Sequence, residues 1–262
     1  MILASLALAA FIPPAFDVVD RAGSRVDMLG VRGVQPWEPR EPSAPHCSEG
    51  VAPRWCVSAS RSGEPGWTVT IANAETSRTA RIPLPASDGP GTSLVVDSRV
   101  VRGADGSIMV GVLRIDRGGF SGGGWQTHRF ILIRLTAEAA GIVLDLPLLG
   151  SAAIRACFDA RDRRRRRGAC TDDYGFTAGF ELDTENTSPT PAFSVWAEAS
   201  TYPGRRSRSE DSSRDRALRR QDLTHWRDPV CTYTRRYRFD AAVGRYAPDT
   251  PVPDCADYLD FE

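Results

Sequence analysis

The sequence predicts an all-β protein: an antiparallel meander of about ten to twelve strands, built as a sandwich, a barrel or a propeller-like arrangement, with three local disulfides. Three observations carry this reading. Short runs of alternating or doubly apolar residues recur from Arg54 onward, and few windows have a helical period. The 23 glycines and 19 prolines cut the chain into many turns. The six cysteines lie as three neighbouring couples. The simplest pairing closes each local loop: Cys47 with Cys56, Cys157 with Cys170 and Cys231 with Cys255.

Taken in order, residues 1–15 read as a signal peptide. Met1 to Ile12 is apolar except for Ser5, Ala7-Leu8-Ala9 offers a small-x-small cleavage site, and Pro13-Pro14 follows. The run is too short for a hydrocarbon core of ~30 Å, and no basic residue precedes it; the mature chain is expected to hold no transmembrane segment. Residues 16–48 form a Pro/Gly-rich extended segment without a sustained period, expected to lie over the surface of residues 49–262, a single all-β domain.

Within that domain RWCVSAS, GWTVTIA and RTARIPL read as short strands. TSLVVDSRVV and SIMVGVLRID follow, joined through Asp105-Gly106, a strong hairpin signal because a tight turn there needs positive φ. After a glycine-rich stretch, read as a flexible hairpin loop, come WQTHRFILIRL and AGIVLDLPLLG. Runs apolar on both faces mark central strands of a layered sheet. SAAIRACF, YGFTAGFELD, AFSVWAEASTY, VCTYTRRYRFD and RYAP continue the meander. Arg205 to Gln221 resists the strand pattern and reads as a long mobile loop with a helical turn near Arg216 to Gln221. No motif recurs at a fixed spacing, which argues against a true propeller.

The formal net charge is +0, from 33 basic and 33 acidic residues, and every basic residue is Arg. Abundant Ala, Gly, Pro and Arg together fit a GC-rich coding bias better than selection for guanidinium chemistry. A nucleic-acid partner is not expected, since such binders carry a basic excess that releases counterions from phosphate.

Candidate chemistry is sparse. Gly119-Phe120-Ser121-Gly122-Gly123 matches G-x-S-x-G, making Ser121 the one weak candidate nucleophile, but an elbow needs a helix after the Ser and here a strand follows. His46-Cys47 resembles the histidine motif of chymotrypsin-like proteases and FSGGG their serine motif; that likeness would make His46 and Ser121 partners, with Phe120 standing where the family has Asp. No metal or cofactor is expected: His46, His128 and His225 lack ligand spacing, and Asp159, Asp162, Asp172 and Asp173 balance nearby arginines without the alternation of a Ca²⁺ loop.

The remaining feature is Arg163, Arg164, Arg165, Arg166 and Arg167, five consecutive arginines between Cys157 and Cys170. Mutual repulsion argues against their burial, so they are expected to project into solvent from a disulfide-closed loop as an anion-binding fingertip. The acidic C-terminus, held by Cys231–Cys255, is expected to neutralise Arg235 to Arg238. The resulting expectation is a periplasmic or extracellular, non-enzymatic interaction or structural protein of the cell envelope. Its partner would be an anionic lipid or glycan; the alternative is a secreted hydrolase with a Ser- or carboxylate-based site.

Overall fold

A computed structural model describes residues 18–28, 45–48, 54–61, 67–73, 75–76, 79–84, 91–210 and 216–261. Residues 1–15, read as a leader, lie outside these. Two pieces of the Pro/Gly-rich segment join the sheets: strand β1 (Arg25–Met28) pairs with β6 (Ser93–Arg102), and β2 (His46–Cys47) pairs with β3 (Trp55–Arg61). With β4 (Trp67–Asn73) and β5 (Thr79–Leu84), β2 and β3 form a four-stranded antiparallel sheet.

The large sheet has ten strands. From β6 it runs as a meander through β7 (Ile108–Phe120), β8 (Gly123–Leu135), β9 (Ala140–Arg155), β10 (Thr171–Leu182) and β11 (Phe193–Tyr202). Then come β12 (Trp226–Arg227), β13 (Tyr233–Asp240) and β14 (Arg245–Pro248); β12 and β13 both pair with β11, and β14 extends β13. Two short helices, α1 (Ala160–Arg165) and α2 (Ala256–Leu259), and a 3-10 turn at Arg220–Asp222 complete the described chain. All three disulfides connect the expected couples, at sequence separations of 9, 13 and 24.

Alternation in β6–β9 sorts the core into layers. Val100, Val110, Val112, Ile131 and Ile133 point to one face and pack on Val57, Val69, Ile71 and Ile82 of the small sheet. Val101, Met109, Phe130 and Leu132 point to the other, where Phe193, Val195, Tyr237 and Tyr246 cover them. The large sheet therefore turns its second half back over its first. The Tyr246 hydroxyl crosses this layer to donate to the Pro191 carbonyl at 2.8 Å. A third cluster, with Tyr174, Phe176 and Tyr258, surrounds Cys231 and Cys255.

Two local readings are corrected. The glycine-rich stretch is strand rather than flexible loop: pairing continues to Phe120–Gly123, leaving only Ser121 and Gly122 as the turn. Gly118 is there for room, since a Cβ on it would meet the Trp125 ring at 2.4 Å, and Gly122 supplies the turn's φ of +94°. AGIVLDLPLLG and SAAIRACF are not separate elements but one 16-residue strand, because β8 pairs along its whole length and absorbs the irregularity through register shifts at His128/Arg129 and Leu132/Ile133.

Phe193 is 1 % exposed at the junction of the two halves. Phe193→Ala is expected to lower stability by about 3–5 kcal/mol through loss of transfer energy and the cavity left behind. Glu198→Ala on the same strand, removing an exposed pair with Arg227, should cost less than about 0.5 kcal/mol. Urea unfolding of both variants measures the contrast.

Candidate functional site

The five arginines sit in the connection between β9 and β10. Asp159 caps α1 by accepting from the Asp162 N–H at 2.7 Å, and Asp162 accepts in turn from the Phe158 N–H at 3.1 Å. That first hydrogen bond is foremost in holding the Asp159 carboxyl below its ordinary range. The Cys157–Cys170 bridge closes the base, reinforced by Ala156 N–H to Cys170 O at 2.9 Å. The connection is thus a short helix on a stapled base. It turns back through Arg167, whose φ of 53° makes it the only non-glycine residue with positive φ among those described.

The expectation that all five arginines reach solvent fails at Arg166. Its side chain is 3 % exposed, donates from Nε to the Ala169 carbonyl at 2.8 Å, and forms an ion pair with Asp172, itself 4 % exposed. Arg206 approaches the same carboxylate at 3.4 Å. Repulsion does not prevent burial here because a fixed carboxylate and a backbone acceptor replace the water that Arg166 gives up. Arg163, Arg164 and Arg167 stay exposed, while Arg165 is half-buried.

The segment expected to be a mobile loop is pinned wherever it is described; residues 211–215 lie outside the described residues. Leu218, buried, donates from its N–H to the Arg165 carbonyl at 2.9 Å and accepts from the Arg167 Nε at 2.9 Å. This docking joins the segment that carries the exposed Arg216, Arg219 and Arg220 to the connection that carries the exposed Arg163, Arg164 and Arg167. The anticipated helical turn exists as the 3-10 turn, where Asp222 accepts from the Arg219 N–H at 2.7 Å.

The acidic tail follows the expectation only in part. Asp257 accepts from the Ser207 hydroxyl at 2.8 Å and the Arg208 N–H at 3.2 Å, and the Arg208 guanidinium lies 4.7 Å from the Phe261 ring centre. Only the start of the Arg205 to Gln221 segment is thereby engaged, while Asp249 reaches β13 through its N–H to the Arg236 carbonyl at 2.8 Å, and its charge joins the Asp183 hydrogen bond, the leading cause, in raising the Arg236 pKa.

The residues of the Ser–His candidates lie on separate elements. Ser121 is exposed in the two-residue turn and a strand, not a helix, follows it. His128 stands opposite Ile115 and Leu149, five residues into β8 and therefore about 17 Å from the turn. Burial, then Arg117, lower its pKa. His46 belongs to the small sheet. A cleft of about 390 Å³ is lined by residues from Glu185 to Ala192 and by Arg236, Arg238 and Phe239. Two charges there are paired internally, Arg236 with Asp183 and Glu185 with Arg21, and the Arg236 hydrogen bond is the main cause of the lowered Asp183 pKa. The described residues contain no group of three His, Cys, Asp or Glu side chains able to hold a metal ion.

No protein-family model matches this chain, and neither does any curated protein or solved structure.

The division of labour inside the arginine run is measurable. Asp172→Ala leaves Arg166 buried without its carboxylate and should cost about 3–5 kcal/mol, whereas Arg163→Ala at an exposed position should stay within about 0.5 kcal/mol of the parent. Equal effects in urea unfolding would contradict this assignment.

Proposed function

We propose that this chain is a non-enzymatic interaction or structural protein of an oxidising compartment, the periplasm or the cell exterior, which contacts anionic groups of the envelope through its arginine face. The observation that supports the reading is the docking of Leu218 on the β9–β10 connection, which ties together two distant segments that both carry exposed arginines. Guanidinium forks suit phosphate and carboxylate, and a cluster gains from several weak contacts at once. Three disulfides favour an oxidising compartment. No helix among the described residues is long and apolar enough to cross a membrane.

The formal net charge of +0 matters here, because it leaves attraction to anions to a local cluster rather than to the whole molecule. Binding should therefore be salt-sensitive, weakening as the Debye length falls from ~10 Å at 0.1 M to ~3 Å at 1 M. The test is sedimentation with lipopolysaccharide and with phosphatidylglycerol vesicles. Replacing the exposed Arg161, Arg163, Arg164, Arg219 and Arg220 with Ser, while keeping Arg166 and the docking residue Arg167, should weaken binding about tenfold or more. Unchanged binding of that variant, or no binding by the parent chain, would sink the proposal.

A further inference from the structure

We infer that the anionic partner is a lipid bilayer, and that Phe120 and Phe158 are the side chains that enter it. This inference rests on the arginine-face reading and narrows it from anionic groups in general to a membrane surface. Phe158 is 68 % and Phe120 46 % exposed, whereas Phe130, Phe176 and Phe193 are buried in the core. Exposed large apolar side chains gathered at one place mark an interaction site more often than exposed ones scattered singly.

The two rings belong to one end of the molecule. Phe120 closes the β7–β8 hairpin with its ring over Gly123, where a Cβ would fall 2.5 Å from its Cε2. Gly123 pairs with Ile154, and the next residue, Arg155, donates from its N–H to the Gly122 carbonyl at 2.8 Å. The Arg155 side chain then turns the other way, donating to the Cys157 carbonyl at 2.7 Å with its guanidinium 5.4 Å from the Phe158 ring centre. Phe120 on the β7–β8 turn and the Arg155–Phe158 pair at the start of the β9–β10 connection thus lie at the same end of the large sheet, and α1 starts two residues after Phe158 with Arg161, Arg163 and Arg164 exposed on it.

Asp159 and Asp162, the carboxylates that follow Phe158, are both engaged with backbone N–H groups of the same turn. An aromatic pair edged by cations is the composition of an interfacial anchor: the rings gain by leaving water for the acyl boundary while the guanidiniums stay at phosphate depth. An acidic glycan would satisfy the arginines but offers the rings no apolar phase. Chemistry therefore separates the two sources of negative charge. The geometry has the chain dock end-on, with the β7–β8 turn and the stapled β9–β10 connection facing the lipid.

The experiment compares the parent chain with Phe120→Ser/Phe158→Ser, Phe120→Leu/Phe158→Leu and the five-arginine variant. Probes are phosphatidylglycerol vesicles, phosphatidylcholine vesicles and soluble dextran sulfate. The double Ser variant should bind phosphatidylglycerol vesicles about tenfold more weakly with dextran sulfate binding unchanged, and the double Leu variant should stay within about threefold of the parent, since apolarity rather than aromaticity is required. Phosphatidylcholine vesicles should bind weakly throughout. Should near-UV circular dichroism show the double Ser variant misfolded, Phe158→Ser alone, at the more exposed site, provides the same contrast. If the Phe variants leave vesicle binding intact while the arginine variant abolishes it, the insertion is refuted and the arginine face stands. If the parent binds dextran sulfate and not vesicles, the partner is an acidic polymer and the inference falls. Binding to neither removes both.

Discussion

Strands β6 to β9 are apolar on both faces, and the rest of the architecture answers that constraint. A sheet with one apolar face needs one cover; these strands need two. The small sheet supplies one through Val57, Val69, Ile71 and Ile82, and the returning half of the large sheet supplies the other through Phe193, Val195, Tyr237 and Tyr246. Because the second cover is part of the same sheet, the meander has to turn back on itself. β9 shows how: its full length pairs with β8, but only Leu149–Arg155 also pair with β10. The stagger lets β10 and β11 leave the plane of the first half, and it carries the β7–β8 and β9–β10 connections to a common end.

At that end the cost of burying charge is met locally. Removing a guanidinium from water costs several kcal/mol even after relaxation, and a partner recovers this only with good geometry and further hydrogen bonds. Arg166 has both, in Asp172 and the Ala169 carbonyl. The pair fixes the inner side of the stapled connection, so its outer side presents arginines from a rigid support. The Cys157–Cys170 bridge and the Asp159 cap act from one side, and the Leu218 contacts act from the other. Loops that carry function depend on a fixed scaffold in this way.

Much of the fold was legible because it is written in local patterns. The doubly apolar strands, the Asp105-Gly106 turn and the three neighbouring cysteine couples each needed only a few residues to recognise. What was missed depends on long-range contacts or on parity across an element. Leu218 is one apolar residue in a run of charge, and nothing local says that it docks on Arg165. The burial of Arg166 did leave a signal: Asp172 shares an inward face of β10 with Tyr174 and Phe176, so a carboxylate was pointing into the core and required a cation. Composition alone misled at the glycine-rich stretch, where glycine makes room for Trp125 rather than slack in a loop. Phe120 and Phe158 belong to different connections, and that they share one end becomes visible only once β8 and β9 are paired.

The arginine run is best understood as one sequence divided between two dielectric environments. Two like charges about 4 Å apart repel by about 1 kcal/mol in bulk water and several times more near a low-dielectric interior. Arg163, Arg164 and Arg167 stay where that repulsion is weakest, with solvent around them. Arg166, which would feel it most, is the one with a buried carboxylate of its own. Arg216, Arg219 and Arg220 add to the exposed positive charge, and among the described residues Asp222 is held by Arg216 and the Arg219 N–H. A phosphate-bearing surface brought against this face would lower a repulsion that the folded chain already carries. The proposed attraction to anions at this end rests on how the run is partitioned and does not require a net positive charge on the whole molecule, which is formally +0.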